Sequence, residues 1–226
     1  MPEAYIIDAV RTPRGIGKVG KGSLAHLHPQ VLGATVLKAI KDRNNLKTDE
    51  VDDIIWGCAT QVDKQGADLG RMSALLAGYD VKASGVTLDR FCGSGITSVS
   101  FGAGQIMSGM EDLVVAGGTD MMSFTASLAD PTRLPLMDKD NPQLRELHPQ
   151  SNQGVCADAI ATIEGISREA TEELAVESQK RATRAIAEGR FEKSLVAVHN
   201  EDGSVALDHE EFPRPNTTRE SLAGLK

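Results

Sequence analysis

Short runs of β-branched and aliphatic residues recur along the first half of the chain, with amphipathic stretches between them. AYIIDAV (4–10), DIIWGCA (53–59), GVTLD (85–89) and DLVVAGG (112–118) have the density of buried strands. Between them, QVLGATVLKAIKDR (30–43) sets Val31, Ala34, Val36, Leu37 and Ile40 on one side of a helix. LGRMSALLAGY (69–79) and GITSVSFGAGQIMSG (95–109) also read as helices. Strand and helix alternate up to Gly118, which predicts βαβ units and an α/β fold with a mostly parallel sheet.

The texture changes after Asp120. LADPTRLPLMDKDNPQLRELHPQ (128–150) is rich in Pro, Asp and Asn and has no sustained period, so it reads as a functional loop or the entry to a subdomain. A helical stretch, QGVCADAIATIEG (153–165), comes next. A long helix then runs from Ser167 to about Gly189, with Leu174, Ser178, Ala182, Ala185 and Ile186 as its stripe. Glu169, Glu172 and Glu173 suit its positive first turns, and Gly189 suits its end. SLVAVHN (194–200) predicts one more strand, and FPRPNTTRESLAGLK closes on turn residues and the start of a helix. LHPQ occurs at 27–30 and 147–150, but its flanks differ and no repeat follows from it.

Composition narrows the chemistry. A net charge of −8 argues against nucleic acid, which needs concentrated Lys and Arg. The one basic cluster, Arg11, Arg14, Lys18 and Lys21, reads first as a solvated loop. With eight aromatic residues against 22 glycines, the chain suits tight helix-on-sheet layers better than a β-sandwich. Three cysteines without regular spacing make neither a disulfide framework nor a metal site, and they point to a reducing compartment. No signal peptide and no apolar run of membrane-spanning length is legible, so a cytoplasmic location is expected.

Within LDRFCGSGITSVS (88–100), Cys92 stands between a strand and a small-residue helix, followed by Gly93 and Gly95. A strand-to-helix elbow would aim its side chain outward, and the helix N-terminus favours a neighbouring thiolate. Glycines there permit a sharp turn and close approach of a substrate, and a backbone N–H could serve a developing oxyanion. Two readings stay open on these grounds: an activated nucleophile, or the small buried hydrophobe that most intracellular cysteines are. Cys58, inside a strand, and Cys156, within a helix, read as structural. Ser94 and Ser98 are weak alternatives because CGSGI is not G-x-S-x-G. A thiol nucleophile needs a base, yet His26, His28, His148, His199 and His209 all lack a catalytic setting.

YIIDAVRTPRG, VDDIIWGCATQ, DRFCGSGITSV and DLVVAGGTDMMS stand in the order and spacing of the thiolase family, the acetyl-CoA acetyltransferases and 3-ketoacyl-CoA thiolases. GISREATEELAVESQKRATRAIAEGRF followed by PRPNTTRESLAGLK resembles that family's loop domain over coenzyme A. The resemblance covers residues 4–226. It implies a thiolase-like fold: an N-terminal core (1–120) with helices on both sheet faces, and an inserted, mainly helical loop domain (121–226).

The resemblance further implies that Cys92 takes an acyl group as a thioester and that its N–H contributes to an oxyanion hole. Arg214 and Ser221 fall at coenzyme A contact positions, where a guanidinium suits adenine or phosphate and a hydroxyl suits a pantetheine amide. No permanently bound cofactor is implied; coenzyme A and acyl-CoA are substrates. A homo-oligomer or a complementary C-terminal half is the expected partner, with neither nucleic acid nor membrane. Family chains continue into a further core strand and a second half bearing Asn-Glu-Ala-Phe, Gly-His-Pro and Cys-x-Gly-Gly blocks, none of which occurs here. Asn152-Gln153-Gly154 also stands where many bacterial biosynthetic thiolases show His-Met-Gly ahead of the loop-domain helix. The rival expectations are a catalytically silent coenzyme A-binding or assembly module and another condensing enzyme, such as an acyl-carrier-protein synthase. The loop-domain blocks argue against the latter.

Overall fold

The computed structural model describes residues 3–129 and 137–225. Residues 130–136, part of the expected irregular loop, lie outside the described residues. The chain divides into two compact units: 1–127 with 191–212, and 128–190 with 213–226. The segment 191–212, expected in the loop domain, therefore packs with the first unit instead. Its Val198 and Leu207 form a small core with Leu24 that gives it apolar cover there.

In the first unit, α1 (Pro29–Asn44) begins with Pro29 in the first turn, and the His28 ring accepts from Gln30 N at 3.2 Å. β1 (Asp53–Gly57), β2 (Val86–Leu88) and β3 (Val114–Gly118) form a wholly parallel sheet in the order β2-β1-β3. Between the strands run α2 (Leu69–Leu76) and α3 (Ser94–Ser108), and α4 (Met122–Ser127) follows β3. Four consecutive residues of β1, Ile54 to Gly57, are buried, as a strand covered on both faces requires. β4 (Val198–His199) and β5 (Val205–Leu207) form an antiparallel hairpin where one strand was expected.

The main core gathers Trp56, Leu37, Ile54, Leu69 and Tyr79 around β1. Trp56 fits because two neighbours lack side chains. A Cβ on Gly70 would stand 2.4 Å from Trp56 Cβ, and one on Gly117 would stand 2.5 Å from the ring. Its indole N–H donates to Thr119 Oγ1 at 3.0 Å, which satisfies the ring's one polar group.

The expected first strand does not form. Residues 4–10 pair with no strand, and Tyr5, Ile6 and Ile7 are 74%, 81% and 77% exposed. Ladder-like bonding starts only at Arg11, whose N–H donates to Ser194 O and whose carbonyl accepts from Val196 N, both at 2.9 Å. The segment is tethered by Asp8, which pairs with Arg43 at 3.2 Å and accepts from Asn44 Nδ2 at 3.1 Å. Between it and the free edge of β3 lies an apolar trench of about 910 Å³ lined by both. β-branched composition suits a strand, but a ladder needs a neighbouring backbone within reach.

The second unit holds α5 (Pro142–Leu147), α6 (Gln153–Glu164), α7 (Arg168–Ala187) and α8 (Arg219–Ala223). α7 is capped by Ser167, whose hydroxyl accepts from Ala170 N at 3.2 Å, and Gly189 follows its end at φ +66°. Its expected stripe is not buried: Leu174 is 71% exposed, and neither α6 nor α7 buries a residue. Polar ties do much of the local joining. Arg145 grips the buried Asp138 carboxylate at 2.6 and 2.8 Å, and Arg168 Nη2 donates to Leu222 O and Leu225 O.

Replacing Gly117 with Ala drives a methyl group into the Trp56 ring and is expected to cost roughly 1–3 kcal/mol. Urea unfolding followed by the fluorescence of the single tryptophan should show a midpoint about 0.5–1.5 M lower. An unchanged midpoint would mean that this glycine is not kept for the ring.

Candidate active site

Parallel strands bring their carboxyl ends to one side of the sheet, and the connections there carry the chemistry of most such folds. Three connections meet at that end of the first unit. The one after β2 is a tight elbow holding Cys92. Its foundation is the ladder: Cys58 N donates to Leu88 O at 3.0 Å, extending the β1–β2 pairing to the last residue of β2.

Beyond Leu88 the backbone reverses through a hydrogen-bonded knot. Asp89 Oδ1 accepts from Phe91 N at 2.7 Å, and Gly93 N donates to Arg90 O at 3.0 Å. The Ser94 hydroxyl accepts from Arg90 N at 2.9 Å and donates to Phe91 O at 2.6 Å. Phe91 takes the left-handed conformation at φ +50°. For a bulky residue this costs on the order of 1–3 kcal/mol. The strain was expected to be relieved by glycine, yet Gly93 sits at φ −90°. The left-handed residue is Phe91, because the Asp89 and Ser94 side chains bracket its peptide groups.

Cys92 is exposed at this elbow, just before α3. Among the described residues, the N–H groups of Gly95 and Ile96 in the first turn of α3 find no acceptor, as the opening of a helix requires. A Cβ on Gly95 would meet nothing within 4 Å, so the space above this turn is open. The turn rests on β1 at Gly57, where a Cβ would stand 2.8 Å from the Ser94 carbonyl carbon. Arg90 stacks over Phe101, 5.8 Å from the ring centroid.

Both serines considered as nucleophiles are buried and engaged. Ser94 is 4% exposed, and Ser98 donates to Gly95 O at 2.7 Å and Gly117 O at 2.8 Å. Cys58 is structural. Burial first, and then the Asp120 carboxylate beside it, push its thiol up to about 11 against a backbone hydrogen bond that lowers it. Its sulfur lies 3.7 Å from Asp120 Oδ1 and 3.6 Å from Gln65 Nε2. Cys156 was expected to be structural as well, but α6 buries nothing and the thiol is exposed.

Three histidines are engaged away from the elbow. His28 caps α1, His26 meets Asn200 Oδ1 at 2.8 Å and His209 meets Asp208 at 2.7 Å. No histidine of the first unit hydrogen-bonds to the elbow. The basic cluster divides: Lys18 and Lys21 are exposed in a turn, whereas Arg11 and Arg14 bind Glu210. Burial raises the Glu210 carboxyl, but the two guanidinium groups outweigh it and hold the group below its ordinary range.

Arg214 and Ser221 lie in the second unit. Arg214 is exposed, and its N–H donates to Gln179 Oε1 at 2.7 Å. Ser221 belongs to the capping box of α8, where its hydroxyl donates to Thr218 O at 2.7 Å and accepts from Thr218 N at 3.0 Å. Asn152 caps α6 by accepting from Gly154 N at 2.9 Å. Sequence reasoning missed the buried Gln65, which accepts from Met121 N at 2.6 Å and donates to Thr60 O at 2.9 Å. No local motif marks it. Asp89, by contrast, was findable from the Asx-turn pattern two residues before Phe91.

Among the described residues, no helix is long and apolar enough to cross a membrane, and no group of His, Cys, Asp and Glu could hold a metal ion.

The sequence profile described as Thiolase, N-terminal domain, matches residues 4–226. Steroid 3-ketoacyl-CoA thiolase FadA6 of Mycobacterium tuberculosis is 38% identical over 233 residues, which take in 100% of this chain and 56% of that protein. The 3-ketoacyl-CoA thiolase of Shewanella denitrificans is 36% identical over 239 residues, 100% of this chain and 58% of that protein. The crystal structure of the Bacillus anthracis acetyl-CoA acetyltransferase superposes with a TM-score of 0.81 at 30% identity, across 100% of this chain and 59% of that one. The chain thus spans somewhat over half the length of the relatives it matches.

Iodoacetamide should label Cys92 and Cys156 in the native chain and Cys58 only after denaturation. The Cys58 thiol also sets a pH dependence. Unfolded, it ionises near 9; folded, it keeps its proton to about 11. Its contribution is therefore complete below pH 9 and is lost as pH rises through that interval. Unfolding titrations should show a shallower fall in stability between pH 9 and 11 for Cys58→Ala, and equal slopes would contradict this.

Proposed function

Because the chain belongs to the thiolase family through its N-terminal domain, we propose that it supplies the nucleophilic half of an acyl transfer between coenzyme A thioesters. The observation that carries this reading is an exposed Cys92 on a strained elbow at the carboxyl end of a parallel sheet, with open space above the first turn of α3. In thiolysis the Cys92 thiolate attacks the keto carbon of a 3-ketoacyl-CoA. The bond between that carbon and the α-carbon breaks, and the departing fragment takes a proton to become acetyl-CoA. The acyl group stays on sulfur until the thiol of a second coenzyme A attacks it, frees Cys92 and carries the group away. The reverse order is a Claisen condensation.

Arg214 and Ser221 are proposed as coenzyme A contacts. The exposed Arg214 guanidinium can meet adenine or phosphate, and Ser221 can offer its hydroxyl to pantetheine at the expense of its capping bonds. No bound cofactor enters the scheme. We read the protein as a cytoplasmic homo-oligomer or as one part of a two-part assembly. The proton transfers call for a base, and among the described residues no histidine hydrogen-bonds to the elbow; the trench beside β3 also leaves apolar surface without cover. A complementary C-terminal half is the proposed partner on both counts. A coenzyme A-binding module without turnover is the second reading, favoured by the fact that no histidine among the described residues hydrogen-bonds to the elbow.

Incubation with acetoacetyl-CoA and coenzyme A separates these readings. The chain should carry an acetyl group on the Cys92 peptide, absent in Cys92→Ser, with turnover far below that of a full-length thiolase. Coexpression with the C-terminal half of a relative should raise turnover. No adduct on Cys92 under any of these conditions would leave the silent module. Rapid turnover by the chain alone would remove the need for a partner.

A further inference from the structure

We propose that Ser94, together with Asp89, is a positioning residue for Cys92, because their side chains hold Phe91 in the left-handed conformation that aims the next residue out of the elbow. The proposal rests on the reading of Cys92 as the nucleophile.

Phe91 has no reason of its own to be left-handed. It is neither glycine nor asparagine, and the residue is 60% exposed, so little burial offsets the strain. The hold comes from outside the residue. Asp89 takes the N–H on one side of Phe91 at 2.7 Å, and the Ser94 hydroxyl donates to the carbonyl on the other side at 2.6 Å. The same hydroxyl accepts from Arg90 N at 2.9 Å, so its donor and its acceptor are both spent on the turn.

Packing asks for less than a serine. Gly57 lets the Ser94 backbone and Cβ come close, and Ala would meet that steric demand equally well. The hydroxyl is therefore surplus to packing, and the knot is where it acts. If Phe91 relaxes to negative φ, the 91–92 peptide rotates and the Cα–Cβ direction of Cys92 turns with it. The thiol then leaves its setting at the opening of α3.

The test measures iodoacetamide labelling of the 226-residue chain peptide by peptide, with Cys156 in the same tube as the reference. In the parent chain Cys92 should react faster than Cys156 at neutral pH; equal rates would sink the nucleophile reading itself. Given faster labelling, Ser94→Ala should slow Cys92 by at least about fivefold and leave Cys156 unchanged, as the loss of the hydroxyl's two hydrogen bonds implies. Phe91→Gly accepts the left-handed conformation without strain. In the Ser94→Ala/Phe91→Gly double variant it should return the Cys92 rate to within about twofold of Phe91→Gly alone, a coupling that loss of packing would not produce. Asp89→Ala, compared with Asp89→Asn, repeats the test from the exposed side, since both remove the charge and only Asn keeps the acceptor. Asp89→Ala should be the slower of the two, which keeps the test open should Ser94→Ala fail to fold. An unchanged Cys92 rate in folded Ser94→Ala, a double variant as slow as Ser94→Ala, or equal rates in the two Asp89 variants would overturn the proposal.

Discussion

The contact between the first turn of α3 and the backbone of β1 at Gly57 is the constraint on which the cysteine site depends. Ser94 and Gly95 press against a strand position where any side chain would collide. That approach brings the helix opening up to the carboxyl end of the sheet. It also leaves only a few residues, 89 to 93, to reverse the chain after β2. A reversal of five residues is of ordinary length for a strand-to-helix connection, but here it does not relax into an unstrained loop. It is closed instead by the Asp89 carboxylate and the Ser94 hydroxyl around a left-handed Phe91. The strain falls beside the residue with the candidate chemistry, where strained backbone in enzymes tends to gather.

β1 can bear this load because it is buried on both faces. Trp56 fills one side and is admitted by Gly70 and Gly117, so three glycines, counting Gly57, let one strand carry a large ring and a closely packed helix. The low aromatic content of the chain is consistent with this. Two buried aromatics, Trp56 bonded to Thr119 and Tyr79 bonded to Leu37 O, serve the main core. The same end of the sheet is tied by Gln65, which joins the connection after β1 to the one after β3.

The two units differ in how they are held. The first has an apolar core around β1, whereas α6 and α7 of the second bury no residue and leave Leu174 and Ile163 exposed. The trench between β3 and residues 4–10 is the counterpart in the first unit: apolar lining with no strand in it. The sequence reads 4–10 as a buried strand and gives α7 an apolar stripe, since a β-branched run and an amphipathic stripe announce a face without naming what buries it.

Much of the local structure was legible from residues alone. The βαβ alternation, the parallel sheet, the limits of α1, α3 and α7, and the place of a cysteine at the start of α3 all follow from apolar spacing, capping residues and glycine placement; that the cysteine is exposed is what the structure adds. The helix limits depend on contacts within a few residues, so the sequence states them directly. The parallel pairing joins residues as far apart as Asp53 and Val114 and was legible only because strands linked through helices return in the same direction. Tertiary structure decided the rest. It left 4–10 outside the sheet and returned 191–212 to the first unit as a hairpin. It buried Ser94 and Ser98, and it put the strain on Phe91 rather than on a glycine. Each of these outcomes turns on a partner far away in the chain or on the space that partner leaves, and local spacing carries no record of distant neighbours.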